Sequence, residues 1–123
     1  MGNAATRRAG EAAARPRDPA RLHMLRYGRA WAQALDTGRR LVADFGAARV
    51  VAVGALVEPH RFGPQSEIEL VVWGLRADVL PAAAAPGRHG PVPAAIHDGD
   101  RLTAAQARRV RAEGVEIARR AEP

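Results

Sequence analysis

A chain of 123 residues has room for one compact domain and one cleft, and with no cysteine it can build neither a disulfide framework nor a Cys-based zinc site. Its 19 basic residues, all arginine, exceed 13 acidic ones for a net charge of +6, a balance that suits nucleic acid or an anionic surface. The same arginine-only usage, beside abundant Ala, Gly and Pro, is also what GC-rich coding produces, so the charge is a discounted signal of function.

Residues 1–17, "MGNAATRRAGEAAARPR", lack the spacing of a core-forming segment and read as a disordered arm, leaving 18–123 as the single domain. At Asp18-Pro19 an N-cap residue precedes a proline suited to the first helical position, so a helix starts there. Leu22, Leu25, Trp31, Leu35, Leu41, Val42 and Phe45 continue it at roughly helical intervals up to a stop at Gly46; Gly28 and Gly38 weaken it and leave a break near Thr37-Gly38 open. "RVVAVG" (49–54) and "EIELVVW" (67–73) read as strands. Alternation on the second puts Glu67 and Glu69 on one face, toward a cleft, and Ile68 and Leu70 on the other.

Residues 74–91, rich in Gly, Pro and Ala, read as a loop with at most a helical turn around Ala77–Leu80. "VPAAI" (92–96) is a weaker third strand, and the "HDGD" that follows it, from His97 to Asp100, reads as a turn, without recognisable metal-ligand spacing. Thr103 and Gln106 form a T-x-x-Q capping box for a helix ending near Glu113 with Gly114 as its stop, and "VEIA" (115–118) is a last extended segment. The order of elements implies an α/β (α+β) fold: a small mixed β-sheet with flanking helices. No apolar run approaches the roughly 20 residues of a membrane span, so a soluble cytoplasmic protein is expected.

A strand ending in Gly54 and a small residue lets backbone N–H groups approach a phosphate, and carboxylates two apart on a neighbouring strand can hold divalent metal over it. The stretch "FGAARVVAVGALVEPHRFGPQSEIELVVWGL" resembles the minimal nucleotidyltransferase family, which has a DNA polymerase β-like fold. With the preceding helix and the terminal "RRVRAEGVEI" included, the resemblance spans roughly residues 22–118. Members carry Gly-Ser after the first strand and Ser-Asp-Ile-Asp-Leu on the next. By resemblance, Gly54, Ala55 and Ser66 stand at nucleotide-binding positions, and Glu67 and Glu69 at the catalytic, Mg²⁺-ligating ones.

The departures fall on the chemistry. Ala55 replaces the serine, both aspartates are glutamates, and the third strand offers only Ala94 or Ala95 where the family has its third acid. The lost hydroxyl costs one hydrogen bond to a charged group, about 1.5–3 kcal/mol. Each Asp-to-Glu change moves a carboxylate by about one C–C bond, roughly 1.5 Å, against a tolerance near 0.5 Å, in a site where Mg²⁺ demands strict octahedral geometry. A misplacement of about 1 Å can cost about 100-fold in rate.

The resemblance, with these losses, implies a weakened or inactive nucleotidyltransferase-like domain that binds a partner, as family antitoxins bind helical HEPN-type toxins. The alternative is an active Mg²⁺-dependent enzyme passing an NMP, often AMP, from ATP or another NTP to a hydroxyl, with Asp98 or Asp100 as a displaced third acid. A second alternative is a basic nucleic-acid-binding domain using the old cleft or the arginines of the last helix, Arg101, Arg108, Arg109 and Arg111.

Overall fold

The structure, a computed structural model, describes residues 18–122; the expected arm at 1–17 lies outside the described residues. The long helix α1, Pro19–Phe45, begins as its sequence directs: the Asp18 carboxylate accepts from the Ala20 N–H at 3.0 Å, with Pro19 in the first turn. It ends at Gly46, whose φ of 79° lets its own N–H and that of Ala47 reach the Val42 and Leu41 carbonyls.

Strands β1 (Arg49–Val53), β2 (Ile68–Trp73), β3 (Ala94–Asp98) and β4 (Val115–Arg119) form one mixed sheet in the order β3-β2-β1-β4. β1 pairs antiparallel with both β2 and β4, and β2 pairs parallel with β3. The crossover from β2 to β3 carries a single helical turn, α2 (Leu80–Ala83), and α3 (Ala104–Glu113) links β3 to β4. This is the small α+β fold expected from the order of elements.

Each sheet face has its own apolar cluster, because alternation sends Val50, Ala52, Ile68, Leu70 and Val72 one way and Val51, Val71 and Trp73 the other. The first set packs under α1 through Ala30, Ala34 and Leu41, and the second under α3 through Val110. The α3 capping box is complete: Thr103 Oγ1 accepts from the Gln106 N–H and Gln106 Oε1 from the Thr103 N–H.

Three sequence expectations change. The helix does not break at Thr37-Gly38; both residues are buried, and a Cβ at Gly38 would sit 3.1 Å from Ile117 Cδ1 and 3.2 Å from the Ala118 methyl. The register shift in the β1–β4 pairing turns those two consecutive residues toward α1, so the glycine serves close approach rather than interruption. The third strand runs 94–98 instead of 92–96, since Gln33 ties both backbone groups of Val92 to α1, at 2.7 and 3.1 Å, before the ladder begins. The helical turn of the long loop falls at 80–83, one turn later than expected.

Gly114 stops α3 without a left-handed backbone, at φ −73°, and a Cβ there would lie 2.5 Å from both the Val110 carbonyl and Val51 Cγ1. Gly28, mid-helix and exposed, would meet nothing within 4 Å. Gly114→Ala therefore lowers stability, by about 1–3 kcal/mol from overpacking, whereas Gly28→Ala raises it by about 0.5–1 kcal/mol. Urea unfolding of the two variants reads the opposite signs directly.

On the α3 side of the sheet, Glu116 accepts two hydrogen bonds from Arg119 and pairs with Arg49, whose guanidinium lies over the Trp73 ring at 4.4 Å. The hydrogen bond from Arg119, aided by the charges of Arg119 and Arg49, holds the Glu116 carboxyl below the ordinary glutamate range. A depressed folded-state value gives stabilisation that is present above the unfolded-state value and lost as pH falls through the folded one. The stability difference between the native chain and Glu116→Gln should accordingly shrink below about pH 4.3, as thermal melts across a pH series will show.

Candidate functional site

The site begins where β1 ends. Gly54 takes φ 74°, which turns the chain sharply into a 3₁₀ segment, Gly54–Val57, whose Leu56 is fully buried. Tyr27 fixes this turn to α1 by donating to the Leu56 carbonyl at 2.7 Å, and its ring meets Trp31 and Phe62 edge-on. The glycine is thereby held above the end of β2, with Glu69 directly opposite Val53 in the ladder.

The Glu69 carboxylate occupies the space over Gly54: a Cβ on the glycine would collide with Glu69 Oε2. Its other oxygen lies 3.5 Å from His97 Nε2, with both side chains partly exposed. Around this pair is a cavity of about 190 Å³ between the sheet and α3, bordered by Val53, Leu102, Gln106 and Arg109. That volume falls short of the roughly 300–1,000 Å³ of ligand pockets that enclose a drug-sized molecule.

Of the residues expected at nucleotide-binding and metal positions, the structure brings Gly54 and Glu69 together and leaves Ala55, Ser66 and Glu67 outside the cavity. Ala55 turns into the core beneath α1. Ser66 closes its own loop, its hydroxyl accepting from the Gly63 N–H at 2.9 Å. Glu67 precedes β2 and is exposed, and it does not line the cavity, so the expected pair of cleft-facing acids is reduced to one. The β2–β3 register pairs Glu69 with Ala95, so Ala95 rather than Ala94 stands where a third acid on this face would be. Asp98 accepts from the Asp100 N–H and Asp100 from the Gly74 N–H, which commits both to shaping the turn after β3. His60 and Arg61 pair with Glu58 at 3.9 and 3.2 Å.

Sequence reasoning missed His97. Ending the third strand at Ile96 placed His97 in a turn, whereas the strand runs two residues further and turns the imidazole to the Glu69 face. The available signal was the parity of "AAIHD", which puts Ala95 and His97 on one side. His89, the other histidine near that segment, is buried on the opposite flank with Nε2 2.6 Å from the Ala83 carbonyl. Trp73 has a structural duty: a Cβ at Gly99 would lie 2.5 Å from its ring, so the indole packs flat on the turn after β3.

Two Mg²⁺ ions need several oxygen ligands in octahedral array. The cavity offers one carboxylate beside an imidazole, and among the described residues no three His, Asp or Glu side chains converge. This donor set does not fit a two-magnesium centre. The chain matches no family model, no curated protein and no solved structure.

The contact between Glu69 and Gly54 is open to measurement. Gly54→Ala forces a left-handed alanine, at about 1–2 kcal/mol, and also pushes the Glu69 carboxylate aside. In a Glu69→Ala background only the backbone cost remains, so the double variant should be more stable than the sum of the two single losses. Strict additivity in chemical denaturation would show that the carboxylate does not fill that space.

Proposed function

We infer that this chain is a nucleotidyltransferase-like domain, on a polymerase β-like scaffold, that has given up nucleotidyl transfer and works by binding another protein. The observation that carries this reading is the Glu69 carboxylate over Gly54. In the resembled family, that glycine's exposed backbone receives the triphosphate. Here an anionic side chain stands in its place, repelling phosphate and filling the space. The small cavity and the alanine at position 95 support the same conclusion.

The partner surface is proposed on α1. Met24 is 71% exposed and Leu35 39%, and at about 3.6 residues per turn the two lie on one flank of the helix, three turns apart. Leu25, 42% exposed, lies about a quarter turn around the helix from that flank. The resemblance implies a helical HEPN-type partner, whose own apolar face would complete the stripe.

Two measurements test the reading. Titration of ATP with Mg²⁺ should show no saturable binding tighter than about 1 mM. Co-expression with a helical protein encoded next to this chain, carrying an Arg-x₄₋₆-His motif, should yield a stoichiometric complex that Met24→Asp with Leu35→Asp abolishes. Mg²⁺- or Mn²⁺-dependent transfer of label from ATP, lost in the Glu67→Ala, Glu69→Ala double variant, would instead establish the active enzyme and overturn the inference.

A further inference from the structure

A larger cavity, of about 790 Å³, lies away from the Glu69 cleft, on the flank of α1 facing the loop that leads into β3. Arg26, Arg29 and Arg40 project from α1 along one wall, and Arg88 rises from the loop opposite. The loop wall is fixed in place: Gln33 bonds both backbone groups of Val92, and Arg40 donates to the His89 carbonyl. Gly90, at φ 129°, lets the loop press on Gln33 so closely that a Cβ would lie 2.7 Å from that side chain.

The gathering of unpaired arginines sets this groove apart. Elsewhere several arginines are matched with acids: Arg49 and Arg119 with Glu116, Arg61 with Glu58, Arg76 with Asp78, Arg101 with Asp98, Arg109 with Glu113. Arg21, Arg108, Arg111 and Arg120 form no ion pair among the described residues either, but none of them lines this groove, the hollow beside it or the Glu69 cavity. The acid lining the groove, Asp36, is already held by Arg40 at 2.8 Å. Among the described residues Arg26, Arg29 and Arg88 form no ion pair, so three exposed guanidinium groups border the groove without an acid, Arg88 also lying over the Phe45 ring at 5.4 Å. A coding bias toward arginine supplies the residues but does not explain why three unpaired ones converge here.

We propose that this groove binds the phosphodiester backbone of single-stranded nucleic acid, without reading its sequence. Guanidinium groups match phosphate oxygens in charge and in planar, two-pronged geometry. From Arg26 to Arg40 the helix advances about 21 Å, more than one phosphate can occupy. At Arg26 the groove meets a second hollow of about 220 Å³ that continues past Gly63 and Ser66, so a strand has a path beyond that end. The groove's own walls carry no Phe, Tyr or Trp on which a base would stack, Phe62 in the adjoining hollow is buried, and His89 is buried and bonded, which leaves the backbone as the recognised part. A duplex, stiff over about 150 base pairs, does not bend into a groove between a helix and a loop. This inference is independent of the reading of the Glu69 cleft.

The test is fluorescence anisotropy with a labelled oligouridylate, repeated with duplex RNA of equal length and with polyglutamate as competitor. Three phosphate contacts predict a log-log salt slope of about −2, so that binding weakens roughly 20-fold between about 50 and 200 mM salt. Arg26→Ala, Arg29→Ala and Arg88→Ala together should flatten the slope toward zero and weaken low-salt binding at least about tenfold. Lysine at the same three positions should keep the slope, and Arg108→Ala with Arg111→Ala, on α3, should leave binding intact. Thermal melts confirm that each variant is folded. The proposal is overturned by no binding at low salt, by the α3 variant losing as much as the groove variant, by duplex binding without single-strand binding, or by polyglutamate competing as well as the oligonucleotide.

Discussion

The close approach of α1 to the sheet at Gly38 is the contact on which the rest of the molecule depends. A 27-residue helix rich in arginine and alanine has few large side chains to bury, so it must gain its packing by lying near the strands. Ala30, Ala34, Thr37 and Gly38 form the buried stripe that permits this. The sheet answers with the shifted register of β4, which turns Ile117 and Ala118 together into the gap over Gly38. Tyr27, Gln33 and Arg40 can then reach the glycine turn after β1 and the loop before β3, so the placement of one helix sets the geometry of both grooves.

The sheet divides the molecule into two environments. Beneath α1 lies the main core, with Leu41, Leu56, Ile68 and Leu70 fully buried. Beneath α3 the cover is thinner, since that helix contributes Val110 alone as a buried residue. The α3 face holds the polar arrangements: Glu69 with His97, and Glu116 with Arg49 and Arg119. Partly solvated acids persist on that face without the desolvation penalty of the main core.

Much of the architecture was legible in the chain. The α1 cap at Asp18, its stop at Gly46, the Thr103–Gln106 box and the first two strands are local features, decided by side-chain hydrogen bonds, φ preferences and alternation within a few residues. What was misread depended on distant partners. Gly38 read as a breaker because its neighbours on β4 lie nearly eighty residues away in sequence. The third strand was cut short because its extent is set by pairing with β2 and by the Gln33 tie to Val92. Glu67 and Glu69 read as equals by alternation, yet only one lies within the ladder and the cavity.

By itself the sequence determined the fold class, the helix ends, and the presence of Ala55, Glu67 and Glu69 beside a strand-ending glycine, because each of these rests on residue type and short spacing. Only the tertiary structure decided that Glu69 covers Gly54, that Ala95 pairs with Glu69, that His97 is Glu69's neighbour, and that Arg26, Arg29 and Arg88 share one wall-to-wall groove. Those facts depend on strand register and on which loop is pinned against α1. Register and docking are set by contacts between segments far apart in the chain, and no local pattern encodes them.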